Sequence, residues 1–380
     1  MELGCAPVEG MGVGLFGDVY RGRTVLVTGH TGFKGSWLCL WLDELGADVV
    51  GYALAPSPGP NHFRRLRLKI RSIAGDIRDF GRLAGAFQIH KPEVIFHLAA
   101  QPLVRHSYMQ PRETFETNVV GTVNVLEACR RSESVRAVVN VTSDKCYENR
   151  EWVWGYREND PMGGRDPYSA SKGCSELVTD SYRSSFFNPE QYGVSHHVLL
   201  ASARSGNVIG GGDWAKDRLV PDIMKAAGKG GTAVIRNPKS VRPWMHVLEP
   251  LAGYLMLGRR LLQGEKDFAA SWNFGPGGGP GMDVAGVAAH LKKKWGRIRY
   301  GIRPQAAAPH EAGLLRLDCS KANLKLGWRP LWDSKKSLSE TAGWYKAFYE
   351  KGEVLSRDNL NDYISGFKSR CEAKTVTVKK

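Results

Sequence analysis

The amino-acid sequence predicts an α/β protein built on a doubly wound parallel sheet, with a smaller C-terminal substrate lobe. From Thr24 to about residue 142, short apolar runs alternate with amphipathic stretches, the pattern of a parallel sheet covered by helices on both faces. The first run also breaks into glycines directly before a helical pattern, as happens in nucleotide-binding sheets. After residue 207, glycine-rich breaks separate isolated helices, which predicts the second lobe.

The predicted elements follow in chain order. Strands are expected at 24–28, 49–53, 72–76, 94–98, 137–142 and 198–203. Helices are expected at 80–90, 112–131, 168–187, 220–227, 250–262 and 284–294. We divide the chain into an N-terminal extension (1–20), a mainly cofactor-binding domain (21–206), a mainly substrate-binding lobe with some strands returning to the sheet (207–365) and a tail (366–380). Both termini are polar or glycine-rich, so disorder is predicted there.

Composition narrows the class of protein. The formal net charge is +15, but the basic residues are spread along the chain and their clusters carry no nucleic-acid recognition motif. A solvated basic surface that attracts an anionic small substrate is therefore favoured over nucleic-acid binding. The seven cysteines are scattered without a Cys-x-x-Cys pair, which argues against a zinc site or a disulfide framework. With no bilayer-length apolar run and no secretion signal, a cytoplasmic protein is expected.

A Gly-x-x-Gly-x-x-Gly turn, from Gly29 to Gly35, follows the first strand and opens a helix. Glycines let the backbone approach a ligand closely, and a helix N-terminus offers free N–H groups and a positive dipole end. Such a turn can be purely structural, but between a strand and a helix it favours a dinucleotide pyrophosphate site.

Tyr168 and Lys172 stand four residues apart, on one face of a predicted helix. A free phenol has a pKa of about 10. A lysine ammonium one turn away, together with an oxidised nicotinamide ring, is expected to lower that pKa. Tyr168 can then take a proton from a sugar hydroxyl while hydride leaves to the cofactor, and Lys172 can bind the nicotinamide ribose. The alternative is a surface pair, which the preceding glycine turn and βα repeats disfavour.

Together these features resemble the extended short-chain dehydrogenase/reductases, which have a Rossmann-like fold. The resemblance covers residues from about 20 to 350 and includes Asp76, the 98–100 segment and Thr142-Ser143, each at the end of a predicted strand. It implies that Ser143 orients the substrate hydroxyl and that the cofactor is NAD. The cofactor-binding residues that it implies are Gly29, Thr31, Gly32, Phe33, Lys34, Gly35, Asp76, Ile77, Leu98, Ala99, Ala100, Thr142, Tyr168 and Lys172.

The second predicted strand departs from the usual pattern for NAD. It ends without an acidic residue to hold the adenosine ribose, so the residues themselves do not decide between NAD and NADP. Arg64 and Arg65 follow after a loop and can reach a 2′-phosphate. NAD is therefore expected from the resemblance alone.

The residues after Ser143 favour a dehydratase over an epimerase. A sugar 4,6-dehydratase must remove the C5 proton and protonate the departing C6 hydroxyl, so it needs a further acid and base. Asp144 is placed to be the acid, which requires a raised pKa. Lys145 is the C5 base, an electrostatic stabiliser of the enolate, or a salt-bridge partner of Asp144. The catalytic set is thus Ser143, Asp144, Lys145, Tyr168 and Lys172.

Four separated segments, 28–37, 142–147, 206–214 and 242–247, resemble the family of CDP-glucose 4,6-dehydratases. The resemblance implies conversion of CDP-glucose to CDP-4-keto-6-deoxyglucose and water by internal hydride transfer through bound NAD. It also implies a role in deoxysugar synthesis for a bacterial surface polysaccharide. Met245 departs from this pattern, because the family usually has a glutamine there.

A CDP-sugar carries a diphosphate, which arginine forks and amide donors match. We therefore expect Arg218, Arg242 and Asn207 to bind the substrate, with Gln101 and Ser143 completing the set. Among the histidines, His246 and His97 are expected to be structural, and His30 either supports the glycine turn or meets a phosphate.

Apolar residues repeat at helical spacing along 112–131, at Phe115, Val119, Val123 and Leu126. In the resembling family this helix and the one at 168–187 pair across a dimer axis, so a homodimer is expected. The alternative is that both stripes only cover the sheet. Three other functions stay open: a nucleotide-sugar 4-epimerase, a 4,6-dehydratase for a different nucleotide sugar, and a non-catalytic dinucleotide sensor.

Overall fold

The structure, a computed structural model, describes residues 14–56, 58–277, 281–303 and 315–378, with side chains up to Arg370. The strands are β1 (Thr24–Thr28), β2 (Asp48–Ala53), β3 (Arg71–Ala74), β4 (Val94–His97), β5 (Ala137–Val141), β6 (Leu199–Ser205), β7 (Val208–Ile209), β8 (Ala233–Ile235), β9 (Val241–Arg242), β10 (Met245–His246), β11 (Ser271–Phe274), β12 (Met282–Asp283) and β13 (Tyr300–Ile302). The α-helices are α1 (Phe33–Glu44), α2 (His62–Leu66), α3 (Phe80–His90), α4 (Val104–Met109), α5 (Pro111–Phe115), α6 (Gly121–Arg130), α7 (Pro167–Ser185), α8 (Leu219–Gly228), α9 (Leu248–Leu262), α10 (Val284–Lys294), α11 (Ser334–Lys351) and α12 (Ser356–Val378). Two π-helical turns, Glu116–Val120 and Ala322–Leu326, and the 3₁₀ turns Asp144–Cys146, Pro189–Gln191 and Lys266–Phe268 complete the set used below.

Seven strands form one sheet in the order β11–β6–β5–β4–β1–β2–β3, and every pair in it is parallel. The strand order reverses between β1 and β4, where the carboxyl ends of the strands open a crevice. Ligands of doubly wound sheets bind in this crevice. The predicted fold class is confirmed, and each of the six predicted strands is present with its ends moved by no more than two residues.

Alternate residues along the strands belong to two apolar layers, one on each face of the sheet. Val25 and Val27 of β1 lie in the core under α1, α9 and α12. Leu26 faces the opposite layer, under α3, α6 and α7. Both faces of each central strand are therefore buried, which is why these strands read as continuous apolar runs.

A third core belongs to the C-terminal part of the chain. It packs residues of α8, α10 and α11 around Trp244 and the buried Trp344. Other segments after residue 207 return to the large sheet: β11 pairs with β6, and α9 packs against β5 and β6. The chain after residue 207 therefore contributes both to the smaller lobe and to the large sheet.

The predicted disorder at the termini is wrong for the parts that the structure describes. Residues 1–13 lie outside the described residues, but Leu15, Phe16 and Tyr20 are buried in the main core. The Tyr20 hydroxyl donates to the carbonyl oxygen of Leu255 at 2.6 Å. At the other end α12 continues through residues 366–378, and Phe367 packs on the same core. The burial of a few large side chains against distant parts of the fold orders these segments, although their local composition is polar.

One predicted helix, 112–131, is interrupted by the π-helical turn Glu116–Val120 between α5 and α6. The buried Asn118 lies in this turn, and π-helical turns frequently mark functional sites. Within the described part of the chain, no helix has both the length and the apolarity needed to cross a membrane.

Candidate active site

The glycine turn after β1 excludes side chains at two of its positions. Gly29 has a left-handed backbone with φ of 74°, and a Cβ there would lie 2.8 Å from the amide nitrogen of Ala99. A Cβ on Gly35 would lie 2.2 Å from the carbonyl oxygen of Gly29. After Gly32, α1 begins at Phe33 with no side chain capping its first turn. The N-terminal N–H groups of α1 therefore form the donor arrangement that binds a pyrophosphate.

Thr28 fixes the neighbouring segment after β4. Its hydroxyl accepts hydrogen bonds from the backbone N–H groups of Leu98 and Ala99, both at 3.1 Å. It also lies 2.7 Å from Nδ1 of the buried His97. The 98–100 segment is thereby held against the glycine turn at the reversal point of the sheet, and His97 has the structural position expected for it.

The His30 side chain packs against strands β2 and β3. The ring occupies the space beside Gly51, where a Cβ would lie 2.3 Å from ring carbons, and Nε2 is 2.7 Å from the Ser72 hydroxyl. Burial lowers the pKa of His30 to about 4, so the ring is neutral at physiological pH. Of the two predicted roles, this geometry favours support of the turn.

Asp76 and Ile77 follow β3 at the far side of the crevice. Arg78 clamps the Asp76 carboxylate, with Nε at 2.9 Å and a terminal nitrogen at 2.6 Å, and this ion pair lowers the pKa of Asp76. The helix cap in this region is instead Asp79, which accepts from the N–H of Arg82 at 3.0 Å. Asp79 is therefore the cap of α3, and the Asp76 carboxylate is paired with Arg78.

Arg64 and Arg65, which sequence analysis placed within reach of a 2′-phosphate, have other contacts in the structure. Arg64 donates to the carbonyl oxygen of Pro56 at 3.2 Å. The guanidinium of Arg65 lies over the ring of Phe348, 5.4 Å from its centre.

The reacting groups converge at the carboxyl end of β5 and the first turns of α7. Asp166 caps α7, accepting from the N–H of Ser169 at 2.9 Å, and so fixes Tyr168 and Lys172 at its buried start. Ser143 follows β5 and is hydrogen-bonded to the Tyr168 side chain. Its hydroxyl also donates to the Asp144 carboxylate at 2.9 Å. Ser143, Tyr168 and Asp144 thus lie together in one buried cluster, in which the single Ser143 proton serves one acceptor at a time.

The protein groups by themselves raise the pKa of Tyr168, whereas the predicted lowering also involves an oxidised nicotinamide ring. Burial of the phenol raises its pKa to about 12, although the hydrogen bond with Ser143 and the charge of Arg218 act in the opposite direction. Burial also lowers the pKa of Lys172 to about 8, against the attraction of Glu176. Desolvation of a phenolate is the larger effect here, so Tyr168 needs a further positive charge to act as a base.

Asp144 is 5% exposed, and burial raises its pKa. Lys145, the hydrogen bond from Ser143, Lys34 and Arg242 all favour the carboxylate but do not reverse that direction. A raised pKa is what the acid of a dehydratase requires.

A small cleft brings several predicted residues together. Its walls are formed by Asp144, Lys145, Asn207, Arg242 and Leu315. Four of these five residues belong to the predicted catalytic or substrate-binding sets, although they come from three distant parts of the chain. Arg218, at the start of α8, is held by Asp213 at 3.1 Å and lies close enough to Tyr168 to influence its pKa.

The side chains of two predicted site residues, Gln101 and Lys34, are hydrogen-bonded to other groups of the protein. The Gln101 amide donates to the Leu103 carbonyl at 3.1 Å and to the Thr114 hydroxyl at 2.9 Å, and its oxygen accepts from the Leu103 N–H. Gln101 therefore shapes its own loop. The Lys34 side chain leaves the glycine turn and donates to the Ser205 hydroxyl at 2.7 Å. Only the Lys34 backbone N–H stays at the helix N-terminus.

Sequence reasoning missed the polar residues behind the catalytic pair. Glu176 accepts from Thr142, from Ser202 at 2.7 Å and from Arg204 at 2.8 Å, with both ends of the ion pair almost completely buried. Asn118 donates to the Ser171 hydroxyl at 2.8 Å and to the Gln101 carbonyl at 3.1 Å. The available signal for Glu176 was its position one turn after Lys172 on the same helix.

Met245 and His246 form β10, and both are buried. The His246 ring packs 4.9 Å from the Trp332 ring and 5.8 Å from that of Trp37, and burial lowers its pKa to about 3. The predicted structural position of His246 fits this geometry. Met245 is 1% exposed and pairs with Val208, so the side chain is part of the packing beneath the cleft.

Known proteins resemble this chain in both sequence and fold. Residues 26–341 match the family model described as GDP-mannose 4,6 dehydratase. The chain is 52% identical over 352 residues to the CDP-glucose 4,6-dehydratase of Salmonella typhimurium, covering 92% of this chain and 98% of that protein. It is similar in structure to the UDP-glucose 4-epimerase of Thermotoga maritima with UDP-glucose (TM-score 0.71, 23% identity, 85% of this chain and 99% of that one). The dTDP-glucose 4,6-dehydratase of Bacillus anthracis in complex with NAD gives a TM-score of 0.70 at 20% identity, with coverages of 86% and 98%.

Proposed function

The chain belongs to the GDP-mannose 4,6-dehydratase family of extended short-chain dehydrogenase/reductases, and from that premise we propose that it is an NAD-dependent hydro-lyase acting on CDP-glucose. The products are CDP-4-keto-6-deoxyglucose and water. The observation that carries the proposal is that Ser143 and Asp144 lie beside Tyr168, while Asp144 and Lys145 line the same cleft as Asn207 and Arg242. The high identity to a CDP-glucose 4,6-dehydratase supports the choice of substrate.

The residues of the crevice fit NAD. The side-chain-free turn at Gly29, Gly32 and Gly35 and the uncapped start of α1 suit the pyrophosphate. Asp76 and Ile77 would contact the adenine, and the 98–100 segment and Thr142 would line the rest of the cofactor. Bound NAD would supply the acceptor for the C4 hydride and, once reduced, the hydride donor for C6.

Tyr168 acts first, as the base for the C4 hydroxyl. Ser143 orients that hydroxyl, since it already binds the Tyr168 side chain. Lys172, one turn along α7, binds the ribose beside the nicotinamide and adds positive charge near the phenol. The oxidised ring adds a second positive charge, which is what a phenol with a pKa raised to about 12 requires.

Asp144 acts in the dehydration. It supplies the proton that the departing C6 hydroxyl needs, and the raising of its pKa by burial favours this role. Lys145, on the wall of the same cleft, takes the C5 proton or stabilises the enolate that forms. Arg218, Arg242 and Asn207 bind the diphosphate and the sugar, and thus fix which carbon faces Asp144.

The assembly proposed is a homodimer formed by α5, α6 and α7. Of the predicted apolar stripe, Leu126 is buried in the core, whereas Phe115 remains exposed at 36%. Val120 and Leu177 nearby are 49% and 60% exposed. These side chains are available to a second copy of the chain in a way that mere coverage of the sheet does not explain.

The proposed setting is the cytoplasm of a bacterium, where the 4-keto-6-deoxy sugar supplies deoxysugar synthesis for a surface polysaccharide such as the O-antigen of lipopolysaccharide. The cysteines fit a reducing compartment, because Cys39, Cys129, Cys146, Cys174 and Cys319 are all free thiols.

The test is mass spectrometry of CDP-glucose, UDP-glucose, dTDP-glucose and GDP-mannose after incubation with the purified protein and NAD. We expect CDP-glucose to lose one water, with no net build-up of NADH. An unchanged mass with an inverted C4 configuration in the proton NMR spectrum of the same sample would instead identify an epimerase. Loss of water from another nucleotide sugar would identify a dehydratase of different specificity, and no change in any sugar would contradict the enzymatic proposal.

A further inference from the structure

Lys34 stands in the glycine turn but sends its side chain to the substrate side of the crevice. Its ammonium donates to the Ser205 hydroxyl at 2.7 Å, at the carboxyl end of β6. The Ser205 hydroxyl is in turn 2.8 Å from the hydroxyl of the buried Tyr254 on α9. The ammonium is thereby fixed across the sheet from the turn that carries its backbone.

The Asp144 carboxyl lies against the backbone that follows Ser205. A Cβ placed on Gly206 would be 3.0 Å from Oδ2 of Asp144, so the carboxyl group rests directly on this glycine. The charges of Lys34 and Asp144 stabilise each other, since each favours the ionised form of its partner.

The surroundings of Lys34 disfavour a positive charge in other respects. Burial, Arg218 and Lys172 together lower the pKa of Lys34 to about 7, and Asp144 is the group that acts in the opposite direction. In these surroundings the ammonium form of Lys34 is most stable when Asp144 carries its negative charge.

We infer that Lys34 is a positioning residue for the dehydration step, stabilising the carboxylate that Asp144 becomes when it gives its proton to the departing C6 oxygen. The inference deepens the proposed function and rests on it. It also moves the Lys34 side chain from the cofactor-binding set to the acid–base machinery, while its backbone N–H stays at the helix N-terminus.

The balance of the step shows why the charge matters. The C6–O bond breaks, its electron pair stays on oxygen, and that oxygen takes the Asp144 proton and leaves as water. The base takes the C5 proton, and the C5–H electron pair becomes the C5=C6 bond. Asp144 is neutral before the step and negative after it, and the inference requires Lys34 to be protonated as the carboxylate forms. The attraction therefore grows toward the transition state and accelerates the step.

The experiment compares Lys34→Met, which keeps an unbranched chain of similar length, with Lys293→Met on the exposed face of α10 as the matched control. NAD affinity is measured by titration of tryptophan fluorescence. The near-ultraviolet absorbance of reduced nicotinamide is followed in a single turnover of CDP-glucose. We expect Lys34→Met to leave NAD affinity within about threefold and to lower kcat by about 10- to 100-fold. Reduced nicotinamide should accumulate, since C4 oxidation precedes the slowed step.

A double-mutant cycle tests whether Lys34 acts through Asp144. In an Asp144→Asn background, which leaves no carboxylate to stabilise, Lys34→Met should have little further effect on the residual rate. Ser205→Ala provides a second route that keeps the ammonium but removes its hydrogen bond, and a smaller loss of kcat in the same direction is expected.

Three results would overturn the inference. One is an NAD affinity that falls tenfold or more with the rate restored at saturating NAD, since Lys34 would then be a phosphate contact. The second is a rate and a nicotinamide signal unchanged from Lys293→Met. The third is a full, additive loss in the Asp144→Asn background. Failure of the unmodified protein to dehydrate CDP-glucose would instead contradict the proposed function itself.

Discussion

Tyr168 shows how burial and chemistry oppose each other at a single residue. Its phenol is 8% exposed, and the resulting desolvation raises its pKa to about 12, so the isolated side chain holds its proton firmly. Lys172 and Arg218 place positive charge nearby, and the proposed cofactor adds more. Burial therefore disfavours the phenolate, and a positive charge close to the phenol is needed to offset this effect.

The phenol hydroxyl therefore carries the base function. Tyr168→Phe should lower kcat by about 10²- to 10⁴-fold, since it removes only the proton acceptor. NAD binding and the free energy of unfolding should change little, because the ring and its packing remain. Tyr108→Phe on α4, where the tyrosine is 43% exposed, is the control. Turnover of Tyr168→Phe equal to that of the control would contradict the assigned role.

α7 combines catalysis and structure at the scale of one element. Tyr168 and Lys172 lie on its first turns, and Glu176 follows one turn later, so one buried stripe carries the site and its anchor. Glu176 joins α7 to Thr142 at the end of β5 and to Ser202 and Arg204 on β6. The position of Ser143 relative to Tyr168 thus depends on this buried ion pair.

Breaking that pair should be costly. Glu176→Ala leaves the Arg204 guanidinium buried beside Tyr147 without its carboxylate, and we expect a loss of about 3–5 kcal/mol in the free energy of unfolding. Arg71→Ala, which removes the exposed pair with Asp48, should cost no more than about 1 kcal/mol. Urea denaturation of the three proteins measures both values, and equal losses would show that the buried pair has no special structural role.

At the scale of the whole molecule, three neighbouring elements, α5, the π-helical turn and α7, each leave an apolar side chain exposed. Leu177→Asp places a charge at the centre of the proposed dimer contact, so we expect a shift from dimer to monomer in light scattering. Leu324→Asp, where the leucine is 80% exposed in another part of the fold, should leave the assembly unchanged. A monomeric unmodified protein, or a Leu177→Asp dimer as stable as the control, would contradict the dimer.

Local patterns predicted the sheet and the start of the site well. The strand at 24–28 has the predicted bounds, and the glycine turn, Ser143, Tyr168 and Lys172 meet at the carboxyl ends of the parallel strands. These follow from the sequence because strand alternation, turn glycines and i,i+4 spacing are local properties. The terminal segments were predicted wrongly, since the burial of Phe16 and Phe367 depends on distant partners.

The sequence by itself determined the doubly wound sheet, the dinucleotide turn and the residue types of the reacting set, because each depends on spacings between residues that are close together in the chain. Only the tertiary structure decided which side chains share a space. It placed the Lys34 ammonium on Ser205 and the Asp144 carboxyl against Gly206, and it directed the Gln101 amide into hydrogen bonds within its own loop. It also raised the pKa values of Tyr168 and Asp144. The physical reason is that burial and long-range contacts, which set direction, charge and desolvation, arise from segments far apart in the chain.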